Sequence, residues 1–176
     1  MKKAIFLLNG KETPYEPGQT LLEATQAIGF HIPTLCHLKE TTPTGACRIC
    51  LVEITGARSL MAACSTPVAE GMEVFTETER VHNTRKLNVE LLLASGKHDC
   101  LICEASGDCR LQELAYYYGI KELRFSQDEK FYPTEEENPF IIRDSPGHPR
   151  CHPVLSSHVV IPGLPHIKLD FLRGTR

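Results

Sequence analysis

The chain opens with short apolar and polar stretches that alternate between strand-like and turn-like composition. Apolar Ala4–Leu8 leads into Asn9-Gly10, a strong two-residue hairpin signal, and Lys11–Glu16 follows, so these residues predict a β-hairpin. Two later stretches, Ile49–Ile54 and Met72–Thr76, are also strand-like. We therefore expect several short strands of one small sheet in the first part of the chain.

Three segments have the composition and end signals of helices. Thr20-Leu21-Leu22-Glu23 matches a capping box, which predicts a short helix over residues 21–28. The run Val81–Ala94 favours a longer helix, and a third helix is expected to begin with Asp108 as its cap and to stop at Gly119. Helices between short strands predict an α+β fold.

The last part of the chain lacks periodicity. Glu135–Glu137 is predicted to be a solvated turn, and residues 145–176 hold five prolines and four of the eight histidines. Because proline removes hydrogen-bond donors, we expect an irregular tail. The composition changes abruptly after Asp144, and two interpretations of this change stay open. One is a truncated or frame-shifted product, and the other is a naturally short subunit with a divergent tail.

Composition and charge argue against several functional classes. The 176 residues include 19 Lys+Arg and 22 Asp+Glu, for a net charge of -3 without a basic run, so no nucleic-acid partner is expected. The early apolar run is too short for a signal peptide or a span, which favours a cytoplasmic protein without direct membrane insertion. No glycine-rich nucleotide loop and no nucleophile–base pairing emerge, so we expect no active site on this chain.

Eight cysteines in a chain expected in the cytoplasm indicate metal ligation rather than disulfides. Four of them follow the pattern C-x10-C-x2-C-x13-C, and they are Cys36, Cys47, Cys50 and Cys64. A close CxxC pair with two more distant thiolates suits a 2Fe-2S cluster, and the small residues Gly45 and Ala46 suit a loop wrapped around it. The alternative of another class is a zinc-stabilised structural or assembly subunit, although zinc sites usually pair doublets at closer spacing.

A second group follows the pattern H-x-C-x2-C-x5-C, and its members are His98, Cys100, Cys103 and Cys109. Three thiolates leave one corner of a 4Fe-4S cube without a ligand, and the neutral imidazole of His98 is the nearest candidate. Asp99 is its competitor. The two groups therefore predict one 2Fe-2S cluster and one 4Fe-4S cluster.

Around these cysteines the chain resembles a known electron-input module. The resemblance rests on Thr34–Cys36, Gly45–Glu53, Cys64 and Cys100–Leu114. The module is shared by the large iron-sulfur subunit of respiratory complex I, [FeFe]-hydrogenases, α subunits of NAD-linked formate dehydrogenases and diaphorase subunits of bidirectional hydrogenases. Many relatives place the ligand histidine four positions before the first cysteine of the triplet, where this chain has Gly96.

The resemblance implies a β-grasp 2Fe-2S ferredoxin-like domain over residues 1–77 and a small, mostly helical 4Fe-4S domain with His and Cys ligands over residues 78–120. A connecting segment at 121–144 and the irregular tail at 145–176 would follow. The implied function is to relay single electrons between a flavoprotein subunit that oxidises NAD(P)H and a catalytic formate dehydrogenase or hydrogenase subunit. A complex I type electron-input subunit is the alternative within this class.

Overall fold

The computed structural model describes residues 4–38, 42–95, 100–101, 103, 105–125, 135–138 and 141–143. The chain divides into two compact units, Met1–Val89 and Glu90–Arg176. The tail predicted at 145–176 lies outside the described residues, and so does His98.

A mixed five-stranded sheet forms the first unit. Its strands in chain order are β1 (Ala4–Leu8), β2 (Lys11–Tyr15), β3 (Leu51–Ile54), β4 (Met61–Ala62) and β5 (Glu73–Phe75). The spatial order is β2-β1-β5-β3-β4, in which β1 and β5 are parallel and all other neighbours antiparallel. The predicted α+β fold is thereby confirmed, while the two-residue strand β4 was not predicted from the sequence.

Asn9 and Gly10 form the tight turn between β1 and β2. Leu8 pairs with Lys11 across this turn, and the φ angles of Asn9 and Gly10 are 50° and 79°. Positive φ at both positions is what a type I′ hairpin turn requires. The Asn9 side chain also reaches the end of β5, donating to Thr76 Oγ1 and accepting from the Thr76 N–H, both at 2.9 Å. Asn9 therefore joins the hairpin to the parallel neighbour of β1.

Helix α1 (Leu21–Ala27) begins at the predicted capping box. The Thr20 hydroxyl accepts from the Glu23 N–H at 3.3 Å, and Glu23 Oε2 accepts from the Thr20 N–H at 2.7 Å. These hydrogen bonds from Thr20 hold the pKa of the Glu23 carboxyl below its usual range. Leu21 and Leu22 are fully buried in one core cluster with Phe6 of β1. The helix is thus tied to the sheet by its apolar side.

Helix α2 (Glu79–Ala94) begins two residues before the predicted start. Helix α3 (Arg110–Tyr117) has Cys109 as its N-cap, so the prediction that Asp108 caps it is wrong. The physical reason is the preceding turn, in which the Asp108 N–H donates to the Ala105 carbonyl at 3.0 Å. Among the described residues, no helix is long and apolar enough to cross a membrane.

A small second sheet corrects another expectation. Glu135–Glu137 is not a turn, because strand β6 (Glu135–Asn138) pairs there antiparallel with strand β7 (Ile141–Arg143). Glutamate has a low intrinsic strand preference, which backbone pairing with the β-branched Ile141-Ile142 segment outweighs.

Candidate metal centre

Three peptide segments carry the four cysteines of the first unit. Cys36 follows α1 in an irregular segment, whereas Cys47 and Cys50 precede β3 and Cys64 lies two residues after β4. Three of these side chains are buried, with exposed fractions of 6% for Cys47, 2% for Cys50 and 1% for Cys64. Cys36 is half-buried, and all four are free thiols. The site is therefore built below the surface with Cys36 nearest to solvent.

The four thiols meet as two hydrogen-bonded pairs. Cys36 and Cys47 form one pair, in which the Cys47 thiol donates to the Cys36 sulfur. Cys50 and Cys64 form the other pair, and Cys36 lies close enough to Cys64 for its charge to raise the pKa of the Cys64 thiol. The structure thus brings together all four cysteines that the spacing predicted.

Backbone amides of the loop before Cys50 point at these sulfurs. The Cys36 sulfur accepts from the Cys47 thiol, from the amides of Cys47 and Ala46 and from the Thr44 hydroxyl, and these donors lower the pKa of Cys36 to about 5. The Ile49 N–H donates to Cys47. Amides aimed at sulfur are suited to hold an anionic cluster, because they stabilise its negative charge without adding a ligand.

Burial has the opposite effect on the deeper thiols. It is the main reason that the pKa of Cys64 rises to about 12, with the Cys50 sulfur adding to the shift. The pKa of Cys47 is also raised, because its thiol donates to Cys36 and is itself buried. These thiols hold their protons in the absence of a metal, so a metal or cluster that binds them must displace those protons.

Gly45 occupies a position that strains a residue with a Cβ. Its φ of 62° lies in the left-handed region, and an added Cβ would come within 3.3 Å of Ser65 Oγ. Its N–H is also directed at the Cys64 sulfur. The small residues expected at Gly45 and Ala46 therefore have a structural reason, which is close approach of the loop to the thiols.

The donor set matches the ligand number of a 2Fe-2S cluster. Each iron of a 2Fe-2S cluster takes two thiolates, and the thiols here lie in two pairs.

The second set of predicted ligands lies around the start of α3. Cys100 is exposed, while Cys103 and Cys109 are half-buried. The Cys103 carbonyl accepts from the Ser106 N–H at 2.9 Å, and the Gly107 N–H donates to the Gln112 side chain at 2.8 Å, which shapes the turn before Cys109. The fourth predicted ligand, His98, and the remaining cysteine, Cys151, lie outside the described residues.

Two residues of α2 that contact the first site were not predicted from the sequence. Arg85 donates to the Leu51 carbonyl and Asn88 to the Arg48 carbonyl. These contacts span 34 and 40 positions along the chain, so no local spacing signals them.

Two family models match the chain. Residues 2–79 match a 2Fe-2S iron-sulfur cluster binding domain, and residues 85–124 match an NADH-ubiquinone oxidoreductase-G iron-sulfur binding region. Both matches are to iron-sulfur regions, and they support one 2Fe-2S and one 4Fe-4S cluster, as the cysteine spacing predicted.

The curated relatives that match this chain are much longer proteins. The NADP-reducing hydrogenase subunit HndD of Solidesulfovibrio fructosivorans is 38% identical over 149 residues, which are 82% of this chain and 26% of the relative. An NADH-quinone oxidoreductase subunit of Rhizobium meliloti is 40% identical over 69% of this chain and 14% of its own length. The NADPH-Fe(3+) oxidoreductase subunit alpha of Geobacter sulfurreducens is 43% identical over 67% of this chain and 14% of its own length. This chain thus spans about a quarter or less of each.

A solved structure also contains a chain that is similar to this one. The crystal structure of an NAD+-reducing [NiFe]-hydrogenase in the H2-reduced state contains a chain with a TM-score of 0.71 and 37% identity, covering 80% of this chain and 59% of that one. At 37% identity, the two chains are similar in sequence as well as in fold.

The fold, the thiol cluster and the matches define an iron-sulfur protein with a 2Fe-2S ferredoxin-like domain followed by a 4Fe-4S region. Within that class, the chain carries an iron-sulfur module that it shares with these hydrogenase and NAD(P)H oxidoreductase subunits. The resemblance inferred from the cysteine motifs is confirmed, and the zinc-stabilised alternative gains no support from the matches.

Proposed function

We propose that this chain relays single electrons between a flavoprotein that oxidises NAD(P)H and the catalytic centre of a larger oxidoreductase. The observation that carries this proposal is the meeting of four thiols under a loop whose amides point at their sulfurs. The similarity to subunits named for NADP-reducing hydrogenase, NADH-quinone and NADPH-Fe(3+) oxidoreduction supports it.

The ligand sets are part of the proposal. Four thiolates of the first unit would hold the 2Fe-2S cluster, and they are those of Cys36, Cys47, Cys50 and Cys64. The 4Fe-4S cluster would be held by His98, Cys100, Cys103 and Cys109. Each cluster, when bound, supplies one-electron oxidation and reduction. We also propose that the two cluster domains divide near residues 77 and 78.

The described residues of the first unit fit that role. Three of the four thiols are at most 6% exposed, so water is kept from most of the site. The amides of Ala46 and Cys47 would stabilise negative charge on the sulfurs, and more strongly when the centre is reduced. Among the four thiols of the first unit, Cys36 is the one nearest to the surface, so its side is the natural route for an electron entering or leaving this centre.

The oxidation of NAD(P)H is assigned to a separate flavoprotein partner, because this sequence has no recognisable loop for binding the nucleotide. No two glycines lie closer than eight positions, so no glycine-rich loop is present to hold the phosphates of NAD(P)H. Hydride transfer from NAD(P)H yields two electrons, and a flavin can pass them on singly to iron-sulfur centres.

The larger enzyme is proposed to be a hydrogenase or a formate dehydrogenase. The similarity to a hydrogenase subunit over 82% of this chain favours the first of these. A complex I type NADH dehydrogenase is the second candidate, favoured by the 40% identity to an NADH-quinone oxidoreductase subunit.

A reverse electron-transfer assay tests the proposed relay. The full chain is reduced with dithionite, freed of excess reductant without oxygen, and mixed with NAD+ in the presence or absence of an oxidised diaphorase flavoprotein. We expect NADH to form only when the flavoprotein is present, with loss of the reduced cluster signals. NADH formation without flavoprotein would place nucleotide chemistry on this chain, and no NADH in either mixture would contradict the relay.

A further inference from the structure

Two side chains of helix α2 donate hydrogen bonds to the peptide segment around Cys50. Arg85 Nε and Nη2 donate to the Leu51 carbonyl oxygen at 3.0 and 2.7 Å. Asn88 Nδ2 donates to the Arg48 carbonyl oxygen at 2.8 Å. Because residues three apart lie on one side of a helix, a single face of α2 holds the segment on both sides of Cys50.

The backbone of this segment is strained at Arg48 and needs a hydrogen bond from outside the segment to hold it. The Arg48 φ of 54° is in the left-handed region, which is costly for a residue with a Cβ. Arg48 is nevertheless exposed, so its own side chain does not anchor it in the core. The hydrogen bond from Asn88 ties the strained peptide to a helix instead.

Arg85 contributes both geometry and charge. Its side chain is 2% exposed, and its fork satisfies a carbonyl of Leu51, which is itself 6% exposed. The guanidinium also pairs with Glu77 at 3.5 Å, but the Glu77 side chain is 56% exposed and therefore well screened by solvent. A buried cation hydrogen-bonded to Leu51, the residue that follows Cys50, would favour the more negative, reduced state of a centre held by Cys50.

We propose that Arg85 and Asn88 are positioning residues for the 2Fe-2S centre, and that Arg85 also raises its reduction potential. This inference rests on the proposed function, because it takes Cys47 and Cys50 as cluster ligands. Asn88 holds the ligand turn in its strained conformation, and Arg85 fixes the start of β3 that follows it.

The test compares full-length wild type with four variants purified without oxygen, Arg85→Gln, Arg85→Lys, Asn88→Ala and Lys86→Gln. Lys86→Gln is the matched control, because it removes one positive charge from the adjacent position and leaves both carbonyl contacts in place. The readouts are the midpoint potentials of both centres from an EPR-monitored redox titration, the EPR g-values, and the rate of iron loss to a chelator.

We expect Arg85→Gln to lower the midpoint potential of the 2Fe-2S centre relative to wild type and Lys86→Gln, with the 4Fe-4S potential unchanged. Arg85→Lys should recover most of that shift because it keeps the charge. Asn88→Ala removes no charge, so it should change the g-values of the 2Fe-2S centre and release its iron several-fold faster with little change in potential.

Several outcomes would overturn the inference. Equal 2Fe-2S potentials for Arg85→Gln and Lys86→Gln would contradict the charge role of Arg85. Wild-type g-values and iron release in Asn88→Ala would contradict the positioning role, even if Arg85→Gln fails to fold. A wild-type protein without any 2Fe-2S signal would instead overturn the proposed function, so the two failures are distinguishable.

Discussion

At the scale of single residues, each cysteine is proposed to serve one particular cluster. Replacing Cys47 by serine removes a buried thiol that is hydrogen-bonded to Cys36 and lies next to the strained turn at Arg48. Cys47→Ser should therefore abolish the 2Fe-2S EPR signal and spare the 4Fe-4S signal.

The matched control for this variant is Cys151→Ser, which removes the cysteine that lies in neither predicted ligand set. Both signals should survive in Cys151→Ser. Loss of both signals in folded Cys47→Ser protein would contradict the division into two independent sites.

Gly45 offers a second test at the residue scale. Gly45→Ala places a Cβ 3.3 Å from Ser65 Oγ at a φ of 62°, whereas Gly56→Ala has a similar φ of 83° and no neighbour within 4 Å. Both variants carry a left-handed strain of about 1–2 kcal/mol, but only Gly45→Ala also crowds the thiol loop. We expect a lower Tm and less bound iron for Gly45→Ala than for Gly56→Ala. Equal Tm and equal bound iron for the two variants would show that the thiol loop does not need the close approach to Ser65 that Gly45 allows.

At the scale of elements, local signals decided which predictions succeeded. The hairpin turn at Asn9-Gly10 and the capping box at Thr20 were predicted correctly, because both are chemistry within a few residues. The cap at Asp108 and the turn at Glu135–Glu137 were wrong, because a preceding turn and a strand partner overrode local preference. Strand β4 is too short to leave a pattern.

The capping box of α1 makes a quantitative prediction. Thr20→Ala removes the hydroxyl that accepts from the Glu23 N–H and should lower the free energy of unfolding by about 1 kcal/mol. Thr20→Ser keeps a hydroxyl and should lose much less. Thermal unfolding followed by circular dichroism measures both, and equal destabilisation of the two variants would contradict the capping role.

In the second unit, the end of α2 carries a buried acid with one cationic partner among the described contacts. Glu90 is 4% exposed, and its Oε2 accepts from Arg124 Nη2 at 2.6 Å and Nε at 2.7 Å. Arg124→Ala leaves this carboxylate buried without its partner and should destabilise the protein by about 1–3 kcal/mol. The double variant Glu90→Gln with Arg124→Ala should recover part of the loss in Tm. Additive losses would show that the pair is not coupled.

At the scale of the whole molecule, the sequence predicted the ligand thiols better than the residues that hold their peptide segment in place. Cysteine spacing alone identified the four thiols that the fold brings together, because ligand number is written in the sequence. The pairing was not predicted correctly, since Cys47 pairs with Cys36 and Cys50 with Cys64 rather than with each other. The roles of Arg85 and Asn88 were not predictable, since they depend on how α2 packs beside the segment before β3. The role of His98 stays a prediction.

The most direct test of the central claim is the iron and acid-labile sulfide content, with low-temperature EPR of reduced protein purified without oxygen. We expect about six iron and six sulfide per chain and two distinct reduced signals. About two of each would mean that the second set holds no cluster. Zinc without sulfide would contradict the electron-transfer account altogether.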